Sequence, residues 1–255
     1  MSSKLFGIIK RPTLDVPDQA ENRISKDIYL DALYKEELAL IKASATTPQL
    51  INVVELGSAG GNTKQVWPEV VTTDVRKAQG VDREMSAEAI SFEDHSVDLI
   101  FGLDALHHFR SPEKHFEEVN RVLKKGGNAV YIEPNWNKFS RLCFKFLLKY
   151  LHPEPYDTSV KAWSLDNSDP MMGNQAQAHN IFVRDIEIFS TKFPNFEVQI
   201  GEPIKGLSFL FSGGVHTRLP VPGRLLWKFH MWEQRHPKWR NTFALGRVII
   251  LTKKA

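Results

Sequence analysis

A chain of 255 residues, 42% hydrophobic and 25% charged, has ordinary globular composition and length enough for one large domain with insertions. Its 33 Lys or Arg nearly balance 30 Asp or Glu, and its one cysteine, Cys143, excludes an internal disulfide framework and fits a reducing compartment. The early apolar stretch is cut short by Lys10 and Pro12, which is too short for a signal-peptide core, and no apolar run nears the roughly 20 residues of a membrane span. The expectation is a soluble, cytoplasmic protein.

An N-terminal arm leads into a helix over residues 25–42, with Ser25 as its N-cap. After a break around Pro48, strands and helices alternate. Unbroken apolar runs predict strands at 50–56, 69–74 and 97–103. Residues 111–127 carry a full set of helix signals: Ser111 as cap, Pro112 at the first position, acids early, lysines late and glycines after. Phe116, Val119 and Leu123 form the apolar stripe of that helix. A strand at 128–134, helices at 139–151 and 183–193, and strands at 196–202 and 246–254 complete the order. This alternation predicts an α/β doubly wound, mostly parallel, Rossmann-like sheet with helices on both faces. Ligands of such sheets sit beyond the carboxyl ends of the strands.

The residues just past the strands therefore carry the functional question. After the first comes Gly57-Ser58-Ala59-Gly60-Gly61, which lacks the spacing of the dinucleotide fingerprint. It either merely opens a helix or lets backbone approach a ligand. Asp74 ends the second strand and either caps the next segment as a helix or accepts two ribose hydroxyls. Glu55 lies inside a buried strand, where a carboxylate needs a partner: the N–H groups of the turn, or a cationic ligand. Asp104, His107 and His108 follow the strand at 97–103, and Glu133 ends the strand beside it. A histidine near neutral pH can take a proton from a nucleophile, and a neighbouring carboxylate orients its ring. The alternative is a histidine packed in a helix. His152 is a further histidine downstream, and no cluster has zinc spacing, so no metal is expected.

Taken together, "VVELGSAGG", "TTDV", "AISFEDHSVDLIFGLDALHHF" and "EEVNRVLKKGGNAVYIEP" resemble the class I S-adenosylmethionine-dependent methyltransferases, in the small-molecule branch with a Methyltransf_11-type core. The resemblance runs from about Leu50 to Trp136. It implies a seven-stranded sheet whose last strand is antiparallel, S-adenosyl-L-methionine as cofactor and S-adenosyl-L-homocysteine as product. By position it implies that Glu55 and Gly57, Ser58, Ala59, Gly60 and Gly61 line the methionine part, that Asp74 takes the ribose hydroxyls, and that Leu103 and Asp104 border the sulfonium. It also implies that His107 and Glu133 activate an acceptor hydroxyl, with His108 in reserve. Where the family often has an aspartate for the adenine amino group this chain has Ser86, so adenine recognition is expected to lean on backbone near Ala87.

A single domain is expected over residues 1–255: arm and helix to 48, cofactor-binding core at 49–134, and insertions at 135–182 and 203–245 that form an acceptor-site cap. The second insertion holds Trp227, Trp232 and Trp239, and seven basic residues against one acid; its net +6 leaves the remainder of a +3 chain at net −3. Within it, Leu225, Leu226, Phe229 and Trp232 fall on one side of a predicted helix. The insertion is open to three readings: a cap packed on the core, a seat for an anionic or lipid-linked acceptor, or a peripheral membrane contact. The expected activity is O-methylation of a small-molecule, sugar or lipid-linked acceptor, with no nucleic-acid partner because no RNA-binding module is visible. The competing readings are a noncatalytic cofactor-binding or scaffold protein and a methyltransferase acting on RNA or protein.

Overall fold

The computed structural model describes residues 24–47, 49–147, 154–165, 169, 172–215 and 219–255. The arm before residue 24, the end of the helix expected over 139–151, His152 and Arg218 lie outside them. The strands are β1 (Val53–Leu56), β2 (Val71–Asp74), β3 (Arg83–Glu84), β4 (Val97–Leu103), β5 (Leu123–Pro134), β6 (Phe196–Ile204) and β7 (Gly246–Lys253). They form one seven-stranded sheet in the order β3-β2-β1-β4-β5-β7-β6. Pairing is parallel from β3 through β5, and β7 runs antiparallel to both β5 and β6.

Period-two alternation divides the buried residues between the faces. Val54, Leu56, Ile100, Ala129, Tyr131, Ile249 and Leu251 face one cluster; Val53, Leu99, Phe101, Val130, Ile132, Val248 and Ile250 face the other. Helix α1 (Ile28–Ala43) covers the second face through Leu38 and Ile41. Helix α2 (Pro112–Val122) covers the first, where Phe116 meets Phe182, Phe189 and Phe193 edge-on, with ring centroids 5.0–5.8 Å apart. Such aromatic geometry adds about 0.5–1.5 kcal/mol per pair beyond burial.

Element boundaries differ from the sequence expectations for identifiable reasons. Asp27, not Ser25, caps α1: its Oδ1 accepts from the N–H groups of Tyr29 and Leu30 at 2.9 and 3.3 Å. Helix α2 stops at Val122 because Leu123 joins the sheet opposite Val97 and Lys124 pairs with Asp98 at 2.7 Å. Those residues lead into β5 instead of ending a helix. β3 is two charged residues long and has no apolar run to announce it. Helix α3 (Lys138–Leu142) passes into a π-turn over Cys143–Leu147. The helix expected at 183–193 is realised as α5 (Ile186–Lys192), preceded by a π-turn over Asn180–Arg184 and by α4 (Gln177–His179), which the sequence had not announced.

The second insertion supplies α6 (Leu207–Ser212), α7 (Gly223–Gln234) and α8 (Pro237–Phe243). The break before Pro237 follows from the poor helical tolerance of the preceding residue, here His236 with φ −122° and ψ 78°. Leu226, His230 and Glu233 face inward from α7, whereas Leu225 and Trp232 of the expected apolar side are exposed. All three helices lie between the end of β6 and the start of β7, at the carboxyl edge of the parallel strands.

Candidate active site

The turn after β1 is held in a left-handed path, with φ of +70° at Gly57, +48° at Ala59 and +71° at Gly61. Four neighbouring residues hem it in. The Ser58 N–H donates to Thr73 C=O at 2.9 Å, and the Ala59 N–H donates to Asp74 Oδ2 at 3.0 Å. A Cβ on Gly61 would lie 2.1 Å from Gly80 O, and one on Gly57 would lie 2.9 Å from Ala105 Cβ. The turn, the loop after β2 and the segment after β4 are thus in contact, as a shared ligand site requires.

Glu55 sits beneath this turn, almost wholly buried. Its Oε1 accepts from the Thr63 hydroxyl at 2.8 Å, and Thr63 Oγ1 is in turn 2.6 Å from the Tyr34 hydroxyl on α1. The carboxylate does not hold the turn's N–H groups. Its Oε2 has no hydrogen-bond partner, and the same is true of Ser58 Oγ and Asn62 Oδ1, all buried. Burial raises the Glu55 pKa to about 7, helped by the Asp74 charge and resisted by Thr63 and Tyr34. Three buried polar atoms without partners thus lie near one another in sequence, one of them on a carboxylate whose pKa burial has raised.

Asp74 ends β2 and faces the turn. Besides Ala59, it accepts from the Arg76 N–H at 3.0 Å and from Arg76 Nε at 3.3 Å. Ser86 and Ala87 lie on the loop past β3, which is tied to the core rather than open. Ser86 Oγ accepts from the Glu88 N–H at 3.1 Å, and Ala87 C=O accepts from His115 Nδ1 at 2.8 Å. His115 also accepts from the Tyr131 hydroxyl through Nε2, at 2.6 Å. Burial drives its pKa down to about 4, so it stays a neutral strut.

The ends of β4 and β5 bring His107 and Glu133 together, as neighbouring strands should. His107 Nδ1 is 2.7 Å from Glu133 Oε2; Glu133 Oε1 accepts from the N–H groups of Ala105 and Leu106 at 2.9 and 2.7 Å. Glu133 is fully buried and His107 nearly so. Burial opposes charge on His107, but Glu133 outweighs it, with help from Asp104 and Glu154, and the pKa rises above the ordinary histidine value. His108 lies over His107, ring centroids 4.1 Å apart. His107 Nε2 meets Gln175 Nε2 at 3.3 Å, and the Asn174 N–H donates to His107 C=O at 2.9 Å. Residues 173–175 of the first insertion thus form a lid on the histidine. With Nδ1–H donated to Glu133, an amide N–H of Gln175 meets a lone pair on Nε2, which describes neutral imidazole.

Sequence reasoning singled out Asp104 but missed its ion-pair partner Lys205 and the Glu37 behind it. Asp104, with φ +50°, ion-pairs with buried Lys205, whose φ is +55° and which lies 3.6 Å from Glu37 Oε1. Burial works against the Lys205 charge, but Asp104, Glu37 and Glu133 override it and hold the ammonium firmly protonated. Burial also lifts the Glu37 carboxyl to a pKa of about 7 against the pull of Lys205. Leu103, next to Asp104 in the chain and half-buried, packs against the apolar cluster on the α1 face of the sheet. Two signals were present: Glu37 interrupts the stripe of Leu30, Leu33 and Ile41, and Lys205 directly follows β6.

Residues 62–131 match the Methyltransf_11 family, a methyltransferase domain. No curated protein matches the chain. The YcgJ protein of Bacillus subtilis is structurally similar over 86% of this chain and 99% of its own, at 19% identity and a TM-score of 0.51. A chain of the complex containing the Haloferax volcanii Trm112 methyltransferase activator is similar over 94% of this chain and 98% of its own, at 14% identity and a TM-score of 0.50. At such identities the likeness is one of fold.

Proposed function

We propose that this chain, which has the class I methyltransferase fold and a methyltransferase-domain match in its core, is an S-adenosylmethionine-dependent methyltransferase. Its acceptor is a hydroxyl on a small molecule, sugar or lipid-linked compound. The observation that carries the reading is the trio of unpartnered buried atoms at the tip of β1: Glu55 Oε2, Ser58 Oγ and Asn62 Oδ1. A buried polar group without a partner costs about 1–3 kcal/mol, so three together mark a place that a polar ligand fills. An ammonium carried on an amino-acid tail would partner a buried carboxylate and hydroxyl of this kind. Asp74 offers its carboxylate to the ribose hydroxyls, which would displace the long Arg76 Nε contact.

When bound, the cofactor supplies an activated methyl group, so the protein's work is alignment, water exclusion and proton handling. His107 Nε2 is the proton acceptor: as the hydroxyl oxygen attacks, its O–H bond breaks and the proton passes to Nε2, with Glu133 supporting the resulting imidazolium. Gln175 must first yield its place against Nε2. Asp104, half-exposed, and Lys205 beneath it give the acceptor-side wall its charge.

The covering of Nε2 by Gln175 is the one observation that favours a cofactor-binding protein without turnover. Incubation with S-adenosylmethionine and a panel of hydroxylated metabolites distinguishes the two. Acceptor-dependent formation of S-adenosylhomocysteine supports the enzyme. Tight binding with no turnover on hydroxylated, RNA or protein acceptors supports the binding protein.

A further inference from the structure

We propose that the outer face of α7 docks on an anionic lipid surface. The apolar arc of this helix is offset from its buried arc. Leu226, His230 and Glu233 turn inward, while Leu225, Met231 and Trp232 remain 58%, 38% and 41% exposed. At 100° per residue, Arg224, Lys228 and Arg235 project between Met231 on one flank and Leu225 with Trp232 on the other. The outward face is thus a basic stripe with apolar margins. The helix's one acid, Glu233, is buried, where its carboxylate accepts from the N–H groups of Leu207 and Ser208 at the start of α6. Among the described residues, none of Arg224, Lys228 and Arg235 takes part in an ion pair.

Neighbouring aromatics extend the surface. Phe211, 45% exposed, stacks on Phe229, and Trp232 stacks on exposed His236. Aromatic and aliphatic side chains beside Lys and Arg stems suit the boundary between headgroups and acyl chains. The charge favours anionic headgroups in particular, each basic residue near such a surface contributing a factor of about five in partitioning. A folded nucleic acid would match the charge but leave Leu225 and Met231 without partners. The face also belongs to the segment between β6 and β7, at the edge of the sheet where His107 and Asp104 lie. A bound membrane would therefore adjoin the acceptor side. The docking itself does not depend on methyl transfer.

The test is flotation of the full chain with phosphatidylglycerol–phosphatidylcholine vesicles and with pure phosphatidylcholine vesicles, at low and high salt. The expected result is salt-sensitive binding to the anionic vesicles, with a blue shift of tryptophan emission. Lys228→Gln or Arg224→Gln should each weaken binding about fivefold, and Trp232→Ala should weaken it without removing its salt sensitivity. Arg224 and Lys228 are exposed, so their variants should melt as the parent does, and they carry the test if Trp232→Ala loosens the stack with Phe229 and His236. Absence of binding at low salt overturns the proposal. So does binding of duplex RNA by the same residues without vesicle binding, or a stable dimer in solution that shields Trp232 from quenching. Loss of methyl transfer with flotation intact concerns the active site alone.

Discussion

One carboxylate serves two purposes at the end of β5: Glu133 Oε2 holds His107 Nδ1 at 2.7 Å, and Glu133 Oε1 holds the N–H groups of Ala105 and Leu106. The histidine and the turn that carries it are therefore fixed by the same group. Removing that group disturbs both chemistry and geometry.

The His107 imidazole should set the pH dependence of turnover. Its pKa is raised above 6.5, chiefly because Glu133 outweighs the effect of burial, and only the neutral ring can accept a proton. The rate of methyl transfer should therefore climb along an acidic limb whose midpoint lies above pH 6.5. His107→Ala should lower turnover by roughly two to four orders of magnitude and flatten that limb. A loss below tenfold with cofactor binding intact would remove His107 from the mechanism. Gln175→Ala should speed acylation of His107 by diethyl pyrocarbonate, because the amide now shields Nε2.

Lys205→Met should destabilise the fold by about 3–5 kcal/mol, since it leaves Glu37 buried beside the Asp104 carboxylate with no cation. The sign of the pH effect comes from Glu37. Its pKa is already raised to about 7, and loss of the ammonium raises it further. The stability deficit should shrink in acid, where Glu37 is neutral, and grow as pH rises through that pKa. Urea denaturation at several pH values measures this, and Lys205→Met with Glu37→Gln should recover part of the loss. A pH-independent deficit would contradict the assignment.

The turn after β1 should respond in opposite ways to two small substitutions. Gly61→Ala places a Cβ 2.1 Å from the carbonyl of Gly80, at φ +71°, and should cost several kcal/mol or prevent folding. Ala59→Gly relieves a left-handed alanine at φ +48°, which costs about 1–2 kcal/mol, at the expense of about 0.5–1 kcal/mol of chain entropy. A net gain of up to about 1.5 kcal/mol in denaturant unfolding is expected. Destabilisation by Ala59→Gly would show that the methyl group packs.

The sheet was largely legible because it is written in unbroken apolar runs. The residues at strand ends could be read because parallel topology puts them at one edge. β3 was not legible, since a two-residue edge pairing of Arg83 and Glu84 leaves no hydrophobic trace. The end of α2 was misplaced because lysines and glycines at 124–127 read as a helix terminus, whereas Leu123 is drawn into the sheet by burial beside Val97. Within the site, His107 with Glu133 and the β1 turn were visible as local motifs. The Glu37–Lys205–Asp104 cluster was not, because it joins residues from three distant segments that only tertiary packing brings together. Gln175 was hidden for the same reason, in a stretch with no periodicity.

Titration calorimetry with S-adenosylmethionine and S-adenosylhomocysteine, in buffers of different ionisation enthalpy, tests the central claim most directly. An ammonium settling against Glu55 should pull its pKa down from about 7, so that binding near neutral pH releases a proton. Glu55→Gln should abolish that release and weaken binding about ten- to a hundredfold, as expected for the loss of a charge-assisted hydrogen bond. Asp74→Asn should weaken binding and, by removing a charge that helps hold the Glu55 pKa up, reduce the proton release without abolishing it. No binding at millimolar ligand, or binding that is indifferent to both substitutions, would contradict the account.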